Sequence, residues 1–273
     1  MAMNSVNTNS NALVALRSLN NTSDQLSVVQ KRVSTGFRVA DSKDDGGAFA
    51  VAQAVRADVA GLTAANEQLG GTKGVLETTF AALGKVSESM VKVRETLTRM
   101  ADGTLNDEQF DQYSAQYTAL RTQIENFISD ATYNGRTLLD TADGDIVTTR
   151  NESGETFTVT AIDGATDLVV AAAPADATEA QTALQTGGDF ETVESAIADA
   201  LNQFGSDSNY IDAQINYNKS KADALEGGLG TLIDADLAKE SAKLQALQIR
   251  QQLGTQALSI SNQSPQMLLS LFR

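Results

Sequence analysis

Between Val55 and Leu97 an apolar side chain falls on every seventh position: Val55, Leu62, Leu69, Leu76, Leu83, Met90 and Leu97. Val59, Phe80, Val86, Val93 and Met100 fill positions three or four residues beyond members of that series. An unbroken heptad run of this kind predicts one long helix with a coiled-coil-like seam. From near Ala48 to near Met100 it would extend about 75 Å at the α-helical rise. Asp102-Gly103 then signals a turn, and Thr104 or Asn106 can cap a second helix. That helix carries Phe110, Tyr113, Tyr117, Leu120, Ile124 and Phe127 at alternating three- and four-residue spacing, so it should lie antiparallel on the first. It ends at the turn Tyr133-Asn134-Gly135-Arg136.

A third helix follows the same rule. Phe190, Ile197, Phe204, Ile211, Leu225 and Leu232 keep a seven-residue register in which Asn218 is the polar exception, and Val193, Ile215, Ala222 and Leu229 widen the seam. A bundle built from both halves of the chain results. In between, the period changes. Phe157, Val159 and Ala161 alternate with threonines, and Ser153-Gly154 and Asp163-Gly164 are turn signals, which predicts two β-hairpins at the far end of the rod. Such an insert is too small to form an enzyme domain alone. The fold class expected is therefore mainly α: a long antiparallel helical bundle drawn from both chain halves, with a small β-hairpin insert at its distal end.

The chain ends mirror each other. Leu13, Leu16, Leu19, Leu26, Val29 and Val33 form a helical stripe near the N-terminus. Leu237, Leu244, Leu247, Leu258 and Leu268 form one stripe near the C-terminus, and Ile249, Leu253 and Ile260 a second, with Leu271 and Phe272 closing the chain. Apolar stripes on two faces of a tail, with no core nearby to cover them, imply partners and coupled folding and association.

Charge and composition sharpen this picture. The 273 residues carry 20 Lys plus Arg against 35 Asp plus Glu, a net charge of −15. Residues 1–39 and 237–273 are each net +3, whereas residues 140–212 hold fifteen acids against Arg150 alone. Two basic ends flank an acidic middle that repels its own copies and stays solvated. Binding to nucleic acid is unexpected on charge grounds. No His or Cys is present, which excludes a Ser-His-Asp triad, a cysteine nucleophile, a His/Cys zinc site and any disulfide. Neither a cleaved signal peptide nor a membrane-spanning segment is expected, because the first residues lack a basic region followed by an apolar one and no run of about 18 apolar residues exists.

Three local patterns resemble chemical motifs and are read otherwise. Asp41, Asp44 and Asp45 lack the spacing of a Ca²⁺ loop, so they are taken as turn and helix-start carboxylates, followed by Gly46-Gly47, which permits a sharp turn. Gly70–Gly74 lacks the full phosphate-loop spacing and sits inside the heptad register. Gly227–Asp236 has Leu232 where a Ca²⁺-binding β-roll repeat needs Asp, so Gly227 and Gly228 are expected to form a flexible joint, matched by Thr35-Gly36 on the other side. No catalytic, metal or cofactor site is expected.

Several segments carry a family resemblance. VNTNSNALVALRSLN begins the match, followed by Thr35-Gly36-Phe37-Arg38-Val39 and Lys43-Asp44-Asp45-Gly46-Gly47 leading into the long helix. YNGRTLLD at Tyr133–Asp140 and the closing stretch from Ile233 to Arg273, with its Asp-Ala-Asp entry and terminal LLSLFR, complete it. In these residues the chain resembles bacterial flagellin of the short, alphaproteobacterial type, over residues 1–140 and 190–273. The resemblance implies a structural subunit exported unfolded through the flagellar export apparatus and polymerised into the swimming filament. It implies terminal helices paired as an inner coiled coil, and an outward-facing insert. It also implies as partners further copies of the chain or other flagellins, the filament cap and hook-junction proteins, and an export chaperone. The domains expected are an inner helix and joint at 1–40, bundle halves at 41–140 and 186–230, an outer insert at 141–185, and a second inner helix at 231–273. Related flagellins are often O-glycosylated on outer hydroxyls, which makes Thr148, Thr149, Ser153, Thr156, Thr158 and Thr160 candidates. The rival readings are a hook–filament junction protein, a helical signalling rod and a carboxylate hydrolase using the insert.

Overall fold

The structure is a computed structural model that describes residues 9–270, with side chains described to residue 263. Its elements run α1 (Ser10–Thr35), α2 (Gly46–Met100), α3 (Asp107–Ser129), β1 (Ile146–Thr149), β2 (Thr156–Val159), α4 (Gly164–Asp167), α5 (Ala177–Ala183), α6 (Asp189–Ile233) and α7 (Leu237–Ser270). The chain divides into two compact units, Met1–Ala57 with Ala224–Arg273, and Asp58–Asp223; the division falls inside α2 and α6.

In the unit spanning Asp58–Asp223 the heptads form the core. Leu62, Leu69, Leu76, Leu83, Met90 and Leu97 are all buried, as are Phe190, Ile197, Phe204 and Ile211 from the later register. Tyr117, Ile124 and Ile128 of α3 join them. Threonines on the buried face of α2 are satisfied locally: Thr72 and Thr79 donate to the carbonyls of Gln68 and Val75, four residues back, at 3.2 and 2.9 Å. That removes the cost of burying a hydroxyl without a partner. Surface ion pairs mark the antiparallel register of α2 and α6, Lys73 meeting Asp212 at 2.6 Å and Arg94 meeting Glu194.

The turns follow side-chain chemistry. Asn106 caps α3 through a capping box, its Oδ1 accepting from Gln109 N at 2.9 Å while Gln109 Oε1 accepts from Asn106 N. Asn134 and Gly135 both hold positive φ, at 52° and 74°, which is the two-residue turn that an Asn-Gly pair favours.

Two expectations about the insert need correction. There is one hairpin, not two: β1 and β2 pair antiparallel with Ile146 opposite Val159 and Thr149 opposite Thr156. Beyond it, Asp163 and Asp176 cap the short helices α4 and α5 through their side chains. The intervening run Leu168–Val170 is a buried strap. Its backbone groups are met by side chains, with Arg121 Nε donating to the Val170 carbonyl at 2.9 Å, Tyr117 Oη to that of Ala171 at 3.1 Å, and the Ala171 N–H donating to Asp189 at 2.7 Å. The end of the strap, at the Val170 carbonyl and both groups of Ala171, is thus held by side chains rather than by a partner strand. Nor is the hairpin at the α2–α3 end of the bundle. After the Asn134-Gly135 turn the chain runs on past α3, and the β1–β2 turn settles between the Asn66 region of α2 and the Tyr210–Lys221 stretch of α6. The α2–α3 end is instead met by α5, where Gln181 Nε2 donates to the Ala101 carbonyl at 2.8 Å.

Beneath that turn sits the polar exception of the third register. Asn218 is fully buried. Its Nδ2 donates to Asn66 Oδ1 and to the Arg150 carbonyl, each at 2.9 Å, and its Oδ1 accepts from Gln214 Nε2 at 2.9 Å. Every polar atom of the side chain is thereby used, which is the condition under which a buried amide is tolerated. Gly61 makes room for the turn, since a Cβ there would stand 3.0 Å from Glu152 Cβ and 3.2 Å from Glu152 Cα.

Candidate assembly surface

The terminal unit is built around a helix pair. Asn9 caps α1, its Oδ1 accepting from Ala12 N, while its Nδ2 donates to the Ser261 carbonyl at 2.7 Å. Further along, Leu19 lies against Gly254, the seam closes on Leu26, Val29 and Leu247, and Arg32 pairs with Glu240 at 3.2 Å. Partners fall along α7 as residues rise along α1, so the pair is antiparallel. Val33 and Leu244 flank the buried trio.

A Gly36 αL cap ends α1, with φ of 76° and its N–H donating to the Arg32 carbonyl at 2.9 Å. The next residues pair with the end of α6: Arg38 N and Val39 N both donate to the Ile233 carbonyl, and Ala235 N donates to the Gly36 carbonyl at 2.9 Å. Val39, Ala52 and Ile233 form a small core there. The acidic turn is a set of ion pairs and caps. Lys31 Nζ reaches Asp41 at 2.8 Å and Asp44 at 2.7 Å, and Asp44 also accepts from Ala40 N at 3.0 Å. Asp45 Oδ1 accepts from Gly47 N and Ala48 N at 3.0 Å, which serves the free donors at the start of α2. The Lys31 hydrogen bonds hold the Asp41 and Asp44 carboxyls below the usual range and raise the Lys31 ammonium.

The expected joint at Gly227 and Gly228 is not where the chain bends. Both residues lie within α6, which continues to Ile233. The break comes at Asp234–Asp236, where Asp236 Oδ1 accepts from Lys239 N at 3.0 Å and starts α7. Glycine costs a helix only about 1 kcal/mol, and continuing hydrogen bonds outweigh that. A new cap and the bridge between Phe37 and Asp234 supply the reason to stop.

A two-helix pair has one seam, and the remaining apolar positions are outside it. Leu13, Leu16 and Leu237 are exposed, and Leu19 and Leu258 half-buried. Ile249, Leu253 and Ile260 are 58%, 59% and 65% exposed, one open stripe on α7. The side chain of Leu268, and Leu271 and Phe272 altogether, lie outside the described residues. Among the hydroxyls of the insert, Thr148 is buried and faces the bundle, Thr149 is half-buried, and Ser153, Thr156, Thr158 and Thr160 are exposed. Thr148 is thus removed from the glycosylation candidates, because the alternation of β1 turns it inward with Ile146.

Sequence reasoning missed two features: the Lys31 clasp on Asp41 and Asp44, and the Asn218 network. The lone polar residue in an otherwise apolar register was the available signal for the second. Among the described residues, no helix is long and apolar enough to cross a membrane, and no group of three or more acids is placed to hold a metal ion.

Long heptad helices from both chain halves, with the two chain ends paired and apolar outside their seam, define an α-helical assembly subunit. Comparison with known proteins specifies which. The bacterial flagellin N-terminal helical region matches residues 6–143, and the bacterial flagellin C-terminal helical region matches residues 190–272. The chain is 36% identical to Flagellin FljM of Caulobacter vibrioides, covering 100% of both, and 35% identical to a flagellin of Brucella melitensis, covering 99% of this chain and 100% of that one. Among solved structures, a putative flagellar hook-associated protein from Vibrio parahaemolyticus shares the fold at a TM-score of 0.54 and 14% identity, over 70% of this chain and 100% of that one. The chain belongs to the bacterial flagellin family, and it is a structural subunit of the flagellar filament.

Proposed function

We propose that filament assembly is driven by the apolar faces that α1 and α7 leave outside their shared seam. The observation that carries this reading is the open stripe Ile249, Leu253 and Ile260 on a helix whose opposite face is already buried. Burial of one such side chain is worth about 1.5–3 kcal/mol, so a few per subunit suffice to drive association. Leu13, Leu16 and Leu237 are further exposed apolar positions on the helix pair, and the apolar pattern of the sequence continues to Leu268, Leu271 and Phe272. The Lys31 clasp and the Gly36 turn hold the end of α1 against the turn that starts α2, within the terminal unit. The domain division that follows is an inner layer of residues 1–40 and 231–273, bundle halves at 41–140 and 186–230, and an insert at 141–185.

The subunit reaches the filament through the flagellar export apparatus, serviced by an export chaperone, and is added beneath a cap distal to the hook-junction proteins. It acts as a structural element without catalysis or cofactor. Ser153, Thr156 and Thr158 are the open positions for O-glycosylation, and the intact mass of secreted protein tests that. The assembly reading is tested by Ile249→Gln, Leu253→Gln and Ile260→Gln together. The variant should keep the helical circular dichroism of the wild type while failing to sediment as filaments. Filaments formed at the wild-type concentration would overturn it.

A further inference from the structure

The turn after α3 holds a reactive pair that the bundle does not use. Among the described residues, Asn134 alone combines a side chain with positive φ, at 52°, and Gly135 follows it at 74°. Two backbone bonds close the turn, Tyr133 N donating to the Arg136 carbonyl at 2.9 Å and Arg136 N to that of Tyr133 at 3.1 Å. Inside it, neither the Gly135 N–H nor the Asn134 side-chain amide makes a hydrogen bond among the described residues, and both residues are exposed. The other described asparagines are placed differently. Asn9, Asn106 and Asn151 lie outside helices, and each side-chain oxygen accepts from a backbone N–H, of Ala12, Gln109 and Glu155, at 3.0, 2.9 and 3.0 Å. The rest lie in helices, whose hydrogen bonds fix the backbone. None of them precedes glycine. Asn134 alone therefore sets a free side-chain amide beside a free N–H whose own residue has no Cβ to obstruct approach.

We propose that Asn134 is a site of spontaneous deamidation, gated by the opening of this turn. The Gly135 nitrogen, once hydroxide has taken its proton, bonds to Asn134 Cγ. The Cγ–Nδ2 bond breaks, and Nδ2 takes a proton from water and leaves as ammonia. A five-membered succinimide remains, and a water molecule opens it at either carbonyl to give aspartate or isoaspartate. Attack needs the Gly135 nitrogen to swing toward Cγ, which the two closing bonds resist. The Tyr133 ring is a further anchor, since a Cβ on Gly74 would stand 2.8 Å from its Cζ. An exposed turn held in this way opens by local fluctuation, without global unfolding. The two products differ in the backbone. Aspartate tolerates the left-handed region and keeps the turn. Isoaspartate adds a methylene to the main chain, so the closing bonds between Tyr133 and Arg136 no longer fit. That loosens the link between α3 and the buried Leu138 and Leu139.

The test is to hold the folded full-length monomer in mildly alkaline buffer and map its peptides by mass spectrometry over time. Asn134 should gain one mass unit about tenfold faster than any other asparagine, with isoaspartate among its products as read by an isoaspartyl methyltransferase. Another asparagine converting first overturns the proposal. So does aspartate as the sole product, which marks direct hydrolysis of the side chain. An unfolded peptide spanning Thr132–Thr137 sets the ungated rate, and an intact Asn134 in the protein after that peptide has fully converted also overturns it. Tyr133→Ala, with its helical circular dichroism confirmed, removes the anchor and should speed conversion several-fold; a rate equal to wild type overturns the gate. Asn134→Asp should melt like wild type and the purified isoaspartyl form lower, whereas equal melting of the two contradicts the claim that the added methylene opens the turn.

Discussion

Replacing Asn218 with leucine restores an unbroken apolar heptad in α6, and a sequence argument alone predicts a more stable helix bundle. The structure predicts the opposite. Asn218 is fully buried and makes three hydrogen bonds, two from Nδ2 to Asn66 Oδ1 and the Arg150 carbonyl and one to Oδ1 from Gln214. At about 1 kcal/mol net apiece, their removal costs about 3 kcal/mol. Leucine returns about 1–2 kcal/mol through apolar burial, which leaves a net loss of about 1–2 kcal/mol. Alanine returns little and leaves a cavity, so Asn218→Ala should lose about 3 kcal/mol or more. Asn66 is half-buried and can turn its oxygen toward water, and Gln214 Nε2 still donates to the Arg150 carbonyl at 3.2 Å, so the loss is that of the Asn218 bonds themselves. Hydrogen exchange read by mass spectrometry on the monomer isolates this region from the terminal helices. Amides around Asn218 and in the β1–β2 hairpin should exchange about tenfold faster in Asn218→Leu, given that about 1.4 kcal/mol corresponds to a factor of ten. Exchange as slow as wild type, or slower, would refute the view that this network holds the hairpin turn on the helices.

Two further predictions concern glycine and pH. Gly84→Ala, at an open helical site, should stabilise the monomer by about 1 kcal/mol, whereas Gly61→Ala should not, because its Cβ would press on Glu152; equal gains in urea unfolding would contradict the close approach of the turn. For the clasp at Lys31, the depressed Asp41 and Asp44 contribute stability that is fully present above the usual carboxylate range and lost as pH falls through their lowered values. The raised Lys31 contributes through neutral pH, and that part is lost only as pH rises through its elevated value. Lys31→Met should therefore show a smaller fall in melting temperature between about pH 5 and pH 2 than wild type, and parallel curves would count against the clasp.

The long helices were legible because heptad spacing reports burial directly: Leu62 to Leu97 repeat in sequence and are buried in the structure. The Asn134-Gly135 turn was legible for a related reason, since few residue pairs accept two positive φ values. The insert was not. Its second half satisfies backbone groups with Arg121, Tyr117 and Asp189, which are distant in sequence, and local alternation cannot reveal such partners. The same limit hid the position of the hairpin, which depends on Gln214 and Asn218 donating to the Arg150 carbonyl, with Asn218 also donating to Asn66. At Gly227 and Gly228 local composition misled, because a helix flanked by packed residues tolerates glycine, and the break followed the cap at Asp236 instead. For the assembly surface, sequence supplied the apolar stripes, and the structure separated the seam residues Leu26, Val29 and Leu247 from the open ones.

The central claim, that the paired terminal helices drive assembly, is tested most directly by negative-stain electron microscopy under salting-out conditions. The full chain is compared with a version lacking residues 1–36 and 237–273, each with and without seeds of filament fragments. Filaments from the full chain alone are the predicted result; filaments from both would contradict it.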